Sequence, residues 1–76
     1  MLDHVQTHRG IRNIPDSEVR TGTYLGWSEW LIALDRWEGD KKHLPAIIAY
    51  LKENYGLSHY WATIVATYYL IERLSQ

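Results

Sequence analysis

"YWATIVATYYLIERL", residues 60–74, is apolar on nearly every side of a helical wheel. Trp61, Ile64, Val65, Tyr68 and then Ile71 or Glu72 mark one helical face, yet Tyr60, Ala62, Ala66, Tyr69 and Leu70 make the other faces apolar too. A helix of this kind is either central to its domain or presents a surface to a partner. Ser58 is the expected N-cap, so the spacing predicts a helix over 58–74. Thr63, Thr67, Glu72 and Arg73 interrupt the run, which falls short of the roughly 18 apolar residues of a membrane span.

Two further helices are expected ahead of it. In 44–55, Leu44, Ile47, Ile48, Leu51 and Tyr55 form an apolar stripe, Pro45 fits a first turn, and Gly56 followed by Leu57 is a glycine stop with a hydrophobic closing residue. In 24–38, Trp27, Trp30, Leu31, Leu34 and Trp37 share one stripe, with Ser28, Glu29, Asp35, Arg36 and Glu38 opposite. Thr23 or Gly26 is the expected cap there; with Gly26, Glu29 completes half of a capping box. Gly39 is the expected stop. The short link "GDKKH" favours antiparallel pairing of these two helices. "PDSEVRTG", 15–22, reads as a single helical turn capped by Asp16 or Ser17 and stopped by Gly22. Residues 1–15, punctuated by Gly10, Asn13 and Pro15, read as a flexible or loosely docked tail. The expected architecture is all-α: a compact three-helix bundle over 16–76 with a short N-terminal helical turn and a flexible tail.

The chain has 76 residues, a size at which folding buries only about 60% of the surface of the unfolded chain. It has no cysteine, so neither disulfides nor thiolate-bound metals help stability, and packing must supply it. There is no phenylalanine either; four tryptophans and six tyrosines carry the aromatic volume. A thin core needs most of them inside, and Trp30, Trp37, Trp61 and Tyr68 are the expected core members. Trp27, Tyr60, Tyr69 and Leu70 are the expected half-exposed residues of an interaction surface. The net charge of −1 gives no field to attract nucleic acid or an anionic membrane. The N-terminal residues lack the apolar run of a signal peptide, and a cytoplasmic protein is expected.

"TG" at 21–22, "WSEWLIALD" at 27–35, "HLPAIIAYLKENYGLS" at 43–58 and "YWATIVATYYLIER" at 60–73 together resemble a small bacterial helical domain family of unknown function. Its pattern is TG, a W-x-E-W helix start, an I-A-x-x-L helix, and G-V-S-x-W-W-A before a tyrosine-containing helix. Family members often stand alone or are appended to START-like domains of the Hsp90-ATPase-activator type. The resemblance spans about residues 21–73 and implies a helical accessory module with no assigned activity. Tyr24 and Leu25 lengthen the link between Gly22 and Trp27 relative to the pattern, and Gly26 stands where a Ser or Thr cap is usual.

Site chemistry is sparse. His4 and His8, four apart beside Asp3, have the spacing of two metal ligands on one helical face, but lie where helix signals are weak and a third ligand is missing. No metal or cofactor is expected. Ser28 with Glu29 and Ser58 with His59 are sequence neighbours on helices and point apart, and nothing selects a pairing such as Ser58 with His43. Catalysis is therefore not expected. Lys41, Lys42 and His43 precede a helix N-terminus and form a weak candidate anion site. "IIAYLKENYGLSHYWATIV", 47–65, has the outline of a helix-turn-helix, but its second helix offers no Lys or Arg until Arg73, whereas groove reading and phosphate contact lean on both. The expected function is a non-catalytic interaction or accessory module, with a protein partner or a second copy meeting the third helix; helix-turn-helix-like nucleic-acid binding is the alternative.

Overall fold

The computed structural model describes residues 14–74, which form four α-helices and one 3-10 turn. The all-α class is as expected; the helix count is not. Helix α1, Asp16–Thr23, is a two-turn helix where a single turn was expected. Pro15 occupies its N-cap without a side-chain cap, and Asp16 and Glu18 place negative charge in its first turn, the favourable end of the helix dipole. Gly22 does not stop it. The helix closes at Tyr24, which takes the left-handed conformation with φ 77° and donates its N–H to the Arg20 carbonyl. Gly22 instead lies inside the helix because the Trp61 indole fills the space its Cβ would need.

Helix α2, Trp27–Arg36, is shorter than the expected 24–38. Gly26 is its cap, and Glu29 Oε1 accepts the Gly26 N–H at 2.8 Å, the anticipated half of a capping box. The other contribution comes from α1: Asp16 Oδ1 accepts the Trp27 N–H at 2.8 Å. Arg20 ties the two carboxylates together, reaching Asp16 at 2.8 Å and Glu29 at 3.1 Å. At the other end the left-handed residue is Glu38, φ 61°, and not Gly39. Gly39 opens the 3-10 turn Gly39–Lys41 and is buried; a Cβ there would stand 3.0 Å from the Leu34 carbonyl oxygen and 3.1 Å from the Tyr69 ring.

Helix α3 runs over Leu44–Tyr55 with Pro45 in its first turn, as expected. Gly56 is left-handed at φ 69°, and its N–H and that of Leu57 both reach the Leu51 carbonyl while the Leu57 side chain closes over the core. Helix α4, His59–Leu74, starts at Ser58, whose Oγ accepts the Trp61 N–H at 3.2 Å.

Helix α4 is the central element. It packs most closely on α3 and next on α2, and its Trp61 lies against Gly22 of α1. Ala62, Ile64, Val65, Ala66 and Tyr69 are buried along it, joined by Val19, Trp27, Trp30, Leu34, Ile47, Leu51 and Leu57. The apolar circumference of 60–74 is thus divided: the five α4 residues just named are interior, Trp61, Tyr68, Leu70 and Ile71 are half-buried, and Tyr60 and Leu74 are exposed. Ring contacts fix how α2 meets α3: Trp37 stacks on Tyr50 at 3.8 Å and Trp30 meets Tyr55 edge-on at 4.9 Å. Positions descend along α2 as they ascend along α3, the antiparallel pairing anticipated from the short link.

Aromatic burial differs from expectation. Trp30 is inside, but Trp37, Trp61 and Tyr68 are only half-buried. Among the described residues buried side-chain polar atoms are paired: the Trp30 indole donates to Thr23 Oγ1 at 2.8 Å, and that hydroxyl lies within reach of the Val19 and Leu25 carbonyls. Among the described residues no helix is long and apolar enough to cross a membrane. Residues 1–13 of the expected tail lie outside the described residues; Ile14 packs on the core.

Candidate functional site

Of the four residues expected at an interaction surface, two are interior. Trp27 is 9% exposed because its indole stacks on Tyr68 at 3.9 Å and donates to the Ile14 carbonyl at 2.8 Å. Tyr69 is fully buried, and its hydroxyl donates to Asp35 Oδ1 at 2.8 Å. Leu70 is half-buried against the core, while Tyr60 is 65% exposed beside the Trp61 ring.

Asp35, Tyr69 and Arg73 form the most connected polar cluster of α2 and α4. Arg73 grips Asp35 through both carboxylate oxygens, at 3.0 and 2.6 Å, and lies over the Tyr69 ring. The guanidinium, seconded by the Tyr69 hydroxyl, holds the Asp35 carboxyl below the usual carboxylate range. Burial first, and then the Asp35 charge, push the Tyr69 phenol up to about 12. The Tyr69 hydroxyl and the Arg73 guanidinium, both on α4, hold the Asp35 carboxylate of α2 and so clamp the two helices together.

The candidate anion site is divided. Lys41 sits in the 3-10 turn and pairs with Glu38 at 3.8 Å, whereas Lys42 lies over the Trp37 ring at 4.9 Å. His43 forms the α3 N-cap, with its carbonyl accepting from Ile47. The structure therefore turns the two ammonium groups to different partners. Ser58 Oγ caps α4. Among the described residues no three His, Asp or Glu side chains converge as metal ligands; His4, His8 and Asp3 lie outside them.

A different feature emerges beside the buried stripe of α3. Leu44, Pro45, Ile48, Ala49 and Lys52, with His59 from the start of α4, line an open groove of about 300 Å³. These positions recur at i, i+1, i+4, i+5 and i+8, one flank of the helix. Ile47 and Leu51 face the core, Leu44 and Ile48 are partly buried against it, and Pro45 and Ala49 are exposed, so the groove is a partly open apolar stripe beside the buried one. Its floor can seat aliphatic side chains, and among the described residues its ionisable lining groups are the Lys52 ammonium and the His59 imidazole. The sequence signal was Pro45 and Ala49 lying beside Ile48, which widens the apolar arc of α3 beyond what its core contact uses.

No family model matches the chain, and no curated protein or solved structure is significantly similar to it.

Proposed function

We propose that the protein is a small non-catalytic interaction or accessory module. The observation that carries this reading is the open apolar groove along Leu44, Pro45, Ile48 and Ala49, on a domain whose best-connected polar groups are engaged in capping and clamping helices. The groove adds a surface on α3 to the one expected on the third main helix, α4, where Tyr60 is exposed, Trp61 and Leu70 are half-buried, and Tyr60 is next in sequence to the groove residue His59. Tyrosine at a surface edge suits this role, since aromatic residues are enriched among binding hot spots. Kinship with the bacterial helical domain family described above belongs to the same reading and is supported by the four sequence segments at 21–73, and a cytoplasmic setting is supported by the N-terminal residues, which lack the apolar run of a signal peptide.

Nucleic-acid binding through α4 is less well supported, because Arg73, the basic residue of its last turn, is gripped by Asp35. Sedimentation equilibrium at micromolar concentration, together with selection of binders from a displayed peptide library, tests the module reading. Self-association or specific peptide capture is the expected result. A strict monomer that selects no peptide overturns it, and salt-sensitive retention of duplex DNA would favour the alternative.

A further inference from the structure

The groove differs electrostatically from the rest of the domain. Helices α1 and α2 carry Asp16, Glu18 and Glu29 in their first turns, whereas α3 and α4 carry no acid in theirs. The positive ends of the latter two helix dipoles therefore lack a compensating negative charge in their own first turns, the Ser58 hydroxyl being a neutral cap on α4. One end of the groove is the first turn of α3, at Leu44 and Pro45. At the other end stand Lys52 and His59, the latter opening α4. Both side chains are exposed, and among the described residues neither has a hydrogen bond or ion pair and no carboxylate lines the groove.

Leu44 to Lys52 spans about 12 Å at 1.5 Å per residue, or a little over two helical turns. Ile48 and Ala49 occupy the middle, and the small Ala49 side chain lets another backbone approach closely. Small-molecule sites enclose most of their ligand. This groove is open along one helix flank, the form that receives the apolar face of a second helix.

We propose that the groove docks an acidic amphipathic helix of a partner protein. Its apolar side chains lie over Ile48 and Ala49, and its carboxylates, about two turns apart, meet Lys52 at one end and the α3 start at the other. This rests on the interaction-module reading and adds the chemistry of the partner.

The test is selection of a random library of peptides about 14 residues long, four turns of helix, on the full chain. Enriched sequences are then titrated as fluorescein-labelled peptides by anisotropy. Enrichment of Asp and Glu about two turns apart around apolar residues is expected. Lys52→Glu should weaken these peptides by roughly three- to tenfold, and a peptide with lysine in place of the facing acid should restore binding to that variant. Ala49→Trp, which fills the groove, should abolish binding while leaving the melting curve in place. Selected peptides without acidic bias, or peptides indifferent to both variants, overturn the groove assignment and leave the module reading standing. Failure to select any peptide, with a strict monomer in sedimentation, overturns both. Binding of dodecanoate at the groove without peptide binding overturns the proposal in favour of a small carboxylate ligand.

Discussion

The Thr23 hydroxyl and the Trp30 indole meet at 2.8 Å, both in the interior, and join the end of α1 to the first turns of α2. The oxygen accepts from the indole while its own hydrogen goes to the Val19 or Leu25 carbonyl, at 2.7 and 3.0 Å. Thr23→Val preserves shape and removes the acceptor, leaving the indole N–H buried and unpaired. A loss of about 1–3 kcal/mol is expected in urea denaturation. Thr23→Ser keeps the oxygen and should lose less; equal losses for the two variants would assign the effect to packing alone.

Two aspartates set the acid limit of the fold. The Trp27 N–H, followed by the Arg20 guanidinium, holds the Asp16 carboxyl below its ordinary value, and Arg73, followed by the Tyr69 hydroxyl, does the same for Asp35. A depressed folded-state pKa contributes stability that is present above the ordinary aspartate value of about 3.9 and is lost as pH falls toward the folded one. Chemical denaturation midpoints should therefore hold steady from neutral pH down to about 5 and drop below about 4. Asp35→Asn should flatten that drop. An unchanged acid profile in Asp35→Asn would show that the Arg73 pair is fully screened.

The features legible in the sequence were those with local causes. Pro45, Gly56, Leu57 and Ser58 bound α3 and start α4 through their own backbone chemistry, and each was placed where the structure has it. Gly22 and Gly39 were misread because glycine serves two ends: it tolerates left-handed φ, and it lets another group come close. Spacing along the chain does not separate these uses. Here the left-handed positions fall to Tyr24 and Glu38, and the two glycines yield to Trp61 and Tyr69. Likewise, helical spacing put Trp27, Trp30 and Trp37 on one stripe without saying which end would be covered. Contacts from Ile14 and Tyr68 cover Trp27. The groove was hidden for a related reason, since it exists only once α4 brings His59 alongside α3.

Tyr69 sets the alkaline limit. Its folded pKa of about 12 lies above the ordinary phenol value, so its contribution is complete below about pH 10 and is lost as pH rises through 10 to 12. Absorbance near 295 nm should show a late ionisation above the ordinary phenol range that Tyr69→Phe removes. Tyr69→Phe keeps the ring and removes the bond to Asp35, costing about 1 kcal/mol at neutral pH, with Asp35 partly solvated in compensation. The variant should lose less stability than the parent above pH 10. A parent whose stability is flat to pH 12 would contradict the coupling.

Gly22→Ala reverses the usual sign of a helix substitution. On an open helix surface the change gains up to about 1 kcal/mol, because alanine restricts the unfolded chain and favours the helical state. At position 22 the new methyl overlaps the half-buried Trp61 indole, which also meets the Tyr60 ring edge-on. Overpacking of this kind costs typically about 1–3 kcal/mol. Gly22→Ala should accordingly lower the denaturation midpoint. Trp61→Ala alone should also destabilise, through lost packing. In the Trp61→Ala background, however, the same Gly22→Ala change should stabilise, because the obstruction is gone and only the helix preference remains. The double-mutant cycle thus predicts opposite signs for one substitution in two backgrounds. Additive effects would mean that α1 shifts off α4 at no cost, and that the contact does not hold the first helix in place.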